Sequence, residues 1–151
     1  MGAERVLAGA LLVVAGSVRA IDVAPLWDHA RPAVSEERFR AAMTSATGDD
    51  ALILQTQIAR TYVFRKDFRR ARELLGEVAA KVDAAGPEAQ ARYWLELGRT
   101  YASHQHPPET QTADAKRLAR DAFSRALQIA RQARLDAMAI DALHMLSLIH
   151  I

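Results

Sequence analysis

From about residue 35 onward, apolar residues recur at i, i+3, i+4 and i+7, and no stretch of useful length alternates at period two. The pattern predicts an all-α chain. Helix starts are marked by Ser35 before Glu36-Glu37, Asp50 before Ala51, Gly86-Pro87-Glu88 and Asp136 before Ala137. Short turns at 47–49, 66–67 and 84–86 separate the apolar runs, so consecutive helices are expected to fold back on each other as antiparallel hairpins.

Part of the chain repeats itself. Trp94-x-x-Leu97-Gly98-x-x-Tyr101 is followed by Ala119-x-x-x-Phe123-x-x-Ala126-Leu127. An earlier copy reads Ile58-Ala59-x-x-Tyr62 and then Phe68-x-x-Ala71-x-x-x-Leu75-x-x-Val78. Arg60-Thr61-Tyr62 and Arg99-Thr100-Tyr101 set the same tripeptide at the same phase of both copies. These residues resemble the first-helix and second-helix patterns of the tetratricopeptide repeat (TPR) family. The resemblance implies antiparallel helix hairpins stacked as a short TPR-like right-handed solenoid. Small residues (Ala71, Gly98, Ala119, Ala126) would stand where helices touch, with Gly98 against Ala119, and Tyr62, Trp94, Leu97, Tyr101 and Phe123 would fill the space beside them. The first copy departs from the pattern, with Gln55 in place of Trp and Lys66 in place of the turn Gly. The second carries an insertion over 103–112. Phe39-x-x-Ala42 and Leu143-x-x-Leu146 look like flanking half-units, so the resemblance covers roughly residues 35 to 146.

The two ends read differently from the middle. Val6 to Val18 is apolar or small throughout and ends on Val18-Arg19-Ala20, a small-x-small pattern. Residues 1–20 therefore read as a secretory signal peptide whose thirteen-residue apolar core falls short of the roughly 20 residues that span a bilayer, and imply a periplasmic or secreted protein. The alternatives are an uncleaved inner-membrane anchor or an N-terminal helix. Residues 21–34 form an N-terminal extension, and 35–145 the repeat domain. The tail 146–151, Leu-Ser-Leu-Ile-His-Ile, resembles translated sequencing adapter on a truncated reading frame, the alternative being a genuine apolar tail. Without a terminal cap, Met138, Leu143 and Leu146 would offer a surface for self-association.

Composition narrows the chemistry. Half of the 151 residues are hydrophobic, a quarter are charged, and there is no cysteine, which suits one domain with a core and excludes disulfides, thiolate zinc sites and Cys nucleophiles. The formal charge of +2 is spread out. Arg69-Arg70-Ala71-Arg72 faces Asp67, Glu73 and Glu77 at helical spacing, which reads as a solvated face rather than a nucleic-acid surface. No glycine-rich phosphate loop, His-Glu-x-x-His or Gly-flanked serine elbow occurs. The pairs Glu36-Glu37 and Asp49-Asp50 suit helix starts, and His104-x-His106 beside Pro107-Pro108 reads as an exposed loop without a third ligand. The expectation is a non-enzyme without cofactor or metal.

In the family that the chain resembles, first helices line a concave groove. Matching positions place Ile53, Thr56, Arg60, Val63 and Phe64 on it, then Arg92, Leu95, Arg99, Ala102 and Ser103, and His144 in the last unit. Arg60 and Arg99, one repeat apart, could hold carboxylates of an extended acidic peptide, with Phe64 and Leu95 beside them. The other reading pairs each arginine with an acid on its own scaffold. The functional expectation is a module that binds a partner protein or peptide, and the alternative is a helical sensor or scaffold segment of a larger regulatory or catalytic protein.

Overall fold

The structure, a computed structural model, describes residues 20–149. Most of the expected signal peptide, up to residue 19, and the last two residues of the expected tail lie outside the described residues. The described residues form six α-helices: α1 Pro32–Met43, α2 Gly48–Phe64, α3 Phe68–Val82, α4 Pro87–Tyr101, α5 Ala113–Gln132 and α6 Asp136–Ile149. No strand occurs among them, and none of the helices is long and apolar enough to cross a membrane. Each helix packs on the next in an all-α hairpin arrangement, while α2 also lies against α4, and α4 more lightly against α6.

Local chemistry explains most boundaries. Proline opens α1 and α4, where its missing N–H is harmless. The Asp67 carboxylate caps α3 by accepting from Arg70 N–H at 3.2 Å, and Thr112 caps α5 by accepting from Ala115 N–H at 3.1 Å. At the end of α2, Lys66 adopts φ 61° while its N–H reaches Val63 O and the N–H of Asp67 reaches Tyr62 O. Arg134 repeats this left-handed ending after α5 with φ 56°. Glycine is the usual occupant of such a position.

Two expected helix starts are corrected. Ser35 lies inside α1 and is fully buried. Its hydroxyl accepts from Asp28 N–H at 2.7 Å and donates to Asp28 O at 3.1 Å, tying the extension to the helix instead of capping it. Helix α2 begins at Gly48, so Asp49 and Asp50 stand in its first turn. Their carboxylates bind other segments: Asp49 accepts from Gly86 N–H at 2.8 Å and Asp50 from Ile21 N–H at 2.9 Å.

The core has two parts joined by the half-buried Trp94. One gathers Phe39, Ile53, Leu54, Ile58, Tyr62, Ala71, Leu75 and Val78. The other gathers Leu95, Ala119, Phe123, Ala126, Ala142 and Met145. Leu97 and Tyr101 are half-buried against these two parts respectively. At Gly98 the ring of Phe123 lies nearest, 2.5 Å from where a Cβ would stand. The extension belongs to the first part. Trp27 stacks on His29 at 4.8 Å, meets Phe39 and Phe64 edge-on at 5.1 and 5.8 Å, and donates its indole N–H to Gln57 at 3.0 Å.

Candidate functional site

Arg60 and Phe64 from α2, Arg99 from α4, Asp141 and His144 from α6, and His104 from the 103–112 loop line one pocket of about 150 Å³. A neighbouring pocket of about 300 Å³ shares Ser103, His104 and Met145 with it and continues to Leu148 and Ile149. The insertion therefore forms the common rim of both.

The charged residues form a chain across three helices. Glu96 Oε1 accepts from Arg99 Nη1 at 2.7 Å and faces Arg60 Nη1 at 3.5 Å. Arg99 Nη2 donates to both oxygens of Asp141, at 2.5 and 2.6 Å. Burial acts on Arg99 most strongly and favours its neutral form, but Glu96 and Asp141 together outweigh it and raise its pKa. Burial wins at Arg60, where Glu96 offsets only part of it and the pKa is lowered. Arg60 Nε and Glu96 Oε2 are buried without a partner.

These contacts correct several site expectations. Arg99, 6% exposed, has both terminal nitrogens of its guanidinium bound to carboxylates of the protein itself, as in the second of the two readings. Arg92 is bound through Nε and Nη2 to Glu88 on its own helix. Leu95, Ile53 and Thr56 are buried away from the pockets, whereas Val63 and Ala102, also buried, line the smaller and the larger pocket respectively. Arg60 lines the pocket. Its guanidinium lies 5.6 Å from the Trp27 ring and 5.8 Å from Phe64, with a single long contact to Glu96. Phe64 is half-buried and His144 is exposed at the pocket.

His106, expected in an exposed loop, is buried. Its ring stacks on Phe68 at 3.7 Å. Nδ1 lies 3.1 Å from Ser103 N, whose N–H can only donate, so Nδ1 is the acceptor and Nε2–H donates to Thr100 O at 3.0 Å. Burial lowers its pKa, against the two backbone contacts and with a smaller push from Arg72. This fold-back of the loop brings His104 to the pocket.

Glu96, Asp141 and Trp27 were missed from sequence. Glu96 stands at i−3 from Arg99 and was legible as a helical pair. Asp141, 42 residues from Arg99, had no local signal. Among the described residues, no group of three or more His, Asp or Glu is arranged to hold a metal ion. Comparison with protein-family models, with curated proteins and with solved structures returns no match.

Proposed function

We propose that this chain is a non-enzymatic interaction module of the tetratricopeptide-repeat type, holding an acidic partner segment at the pocket between α2, α4 and α6. The observation that carries the reading is Arg60. It is the one cation of the buried charge chain with a weak internal partner, it lies beside two aromatic rings that also touch each other, and it lines the pocket. Arg99 supports the wall instead of touching the partner. Phe64 and Met145 provide apolar surface next to the charge, and His144 is a second polar contact. A pocket this small suits the end of one side chain of an extended peptide, with weak and salt-sensitive affinity, micromolar in order of magnitude.

The test is titration of a peptide library at low and moderate salt against wild type, Arg60→Gln and His144→Ala. Selection of acidic peptides by wild type, weakened at least about fivefold in Arg60→Gln with a shallower salt slope, is expected. Equal selection and slope in wild type and Arg60→Gln would overturn the role of Arg60, and equal selection in wild type and His144→Ala that of His144.

Two further readings belong to this proposal. The leader-like residues 1–20 send the chain out of the cytoplasm, giving a product that begins at Ile21. The exposed Ile140 and Leu143 of α6 support self-association, which sedimentation at rising concentration checks against an Ile140→Lys/Leu143→Lys variant.

A further inference from the structure

The front of the extension is held by one long-range bond, from the backbone N–H of Ile21 to Asp50 Oδ1 at 2.9 Å. Asp50 is half-buried in the first turn of α2, and its neighbour Asp49 is bound to Gly86 instead. Immediately before Ile21 stands Val18-Arg19-Ala20, a pattern at which leader peptides are cut. One observation is read from residue types and the other from geometry, and both fall on the same nitrogen.

We propose that the chain is processed between Ala20 and Ile21 and that the new α-ammonium of Ile21 forms an ion pair with Asp50, locking the extension onto α2. The inference rests on the export reading given above. A leader-removing peptidase hydrolyses the bond: the Ala20 carbonyl gains the hydroxyl of water, the Ile21 nitrogen gains its hydrogen, and the freed amine takes up a further proton at neutral pH. One amide donor is thereby replaced by a charged group with several donors, whose bond to a carboxylate is shorter and stronger. Half-burial of Asp50 shields that pair from water more than a surface pair would be. The lock acts at a distance too. Val23, Leu26 and Trp27 follow Ile21 along the same core, and Trp27 forms the wall against which Arg60 lies.

The full chain, leader included, is expressed in a Gram-negative host, and the periplasmic product is identified by intact mass and N-terminal sequencing. Its α-amine is then labelled with an amine-reactive ester and followed by mass spectrometry, for wild type and Asp50→Asn, native and in guanidinium chloride. The expected product begins at Ile21, and its native wild-type amine labels about tenfold slower than that of Asp50→Asn, with equal rates once unfolded. Should Asp50→Asn not fold, the native-to-unfolded ratio of wild type decides, and a ratio near one overturns the pair. A product starting at Ile21 with equal native rates in both proteins also overturns the ion pair while export stands. A product that keeps Met1, or is cut elsewhere, overturns the export reading and this inference with it.

Discussion

The half of the molecule built on the weaker motif has the better core. Around α1–α3 the first copy of the sequence pattern has Gln55 where the second has Trp94, yet Phe39, Ile53, Leu54, Ile58, Leu75 and Val78 are all sealed from solvent. The second repeat, α4–α5, carries Trp94, Leu97, Gly98, Tyr101, Ala119 and Phe123 in full, but its buried set is rich in alanine, and the following α6 leaves Ile140 67% exposed. The difference lies in cover. Helix α2 has α1 and the Trp27 segment on one side and α4 on the other, whereas α6 rests on α5 and lightly on α4. A repeat motif specifies one helix-to-helix contact; the burial of the remaining faces depends on what neighbours each unit.

The largest test of this contrast separates the two repeated arginines. Arg99→Ala strands Glu96 inside the protein and should cost about 3–5 kcal/mol by denaturant unfolding. Arg60→Ala, in the better-covered half but with a long single contact, should cost about 1 kcal/mol or less. Equal losses would show that position in the charge chain is irrelevant. Next is the close contact of the second repeat. Gly98→Ala drives a Cβ to within 2.5 Å of the Phe123 ring and should cost about 1–3 kcal/mol. Adding Phe123→Leu should recover part of that loss, and failure to do so would locate the strain elsewhere.

Smaller effects sharpen the comparison of the two turns. Lys66 and Arg134 both take left-handed backbone without being glycine. Lys66→Gly and Arg134→Gly should each stabilise by about 0.5–1 kcal/mol in thermal unfolding, since relief of the Cβ clash outweighs the extra flexibility of the unfolded chain. The smallest expected effect is a pH slope. His106 is neutral in the fold, with a pKa below the ordinary 6.5, so the unfolded chain binds its proton first. Stability should be full above about pH 6.5 and fall as the pH drops from there towards the lowered folded value. His106→Gln should flatten that part of the curve of stability against pH.

Periodicity, proline positions and short turns were enough for an all-helical chain with starts at Pro87 and Asp136, because such signals act within one or two turns of backbone. Ala71, Ala119, Phe123 and Ala126, all fully buried, were named through the resemblance between the two sequence copies and a known repeat pattern. Which arginine is the weakly paired one was not legible. Arg60 and Arg99 sit in identical tripeptides, and they differ only because Glu96 and Asp141 close around the second while Trp27 and Phe64 flank the first. Likewise His106 left the solvent because Phe68 and Thr100, 38 and 6 residues away in sequence, offered a ring face and a carbonyl at once. Local pattern determines what each segment becomes on its own; desolvation and pairing depend on residues brought from a distance, and those the tertiary structure alone decided.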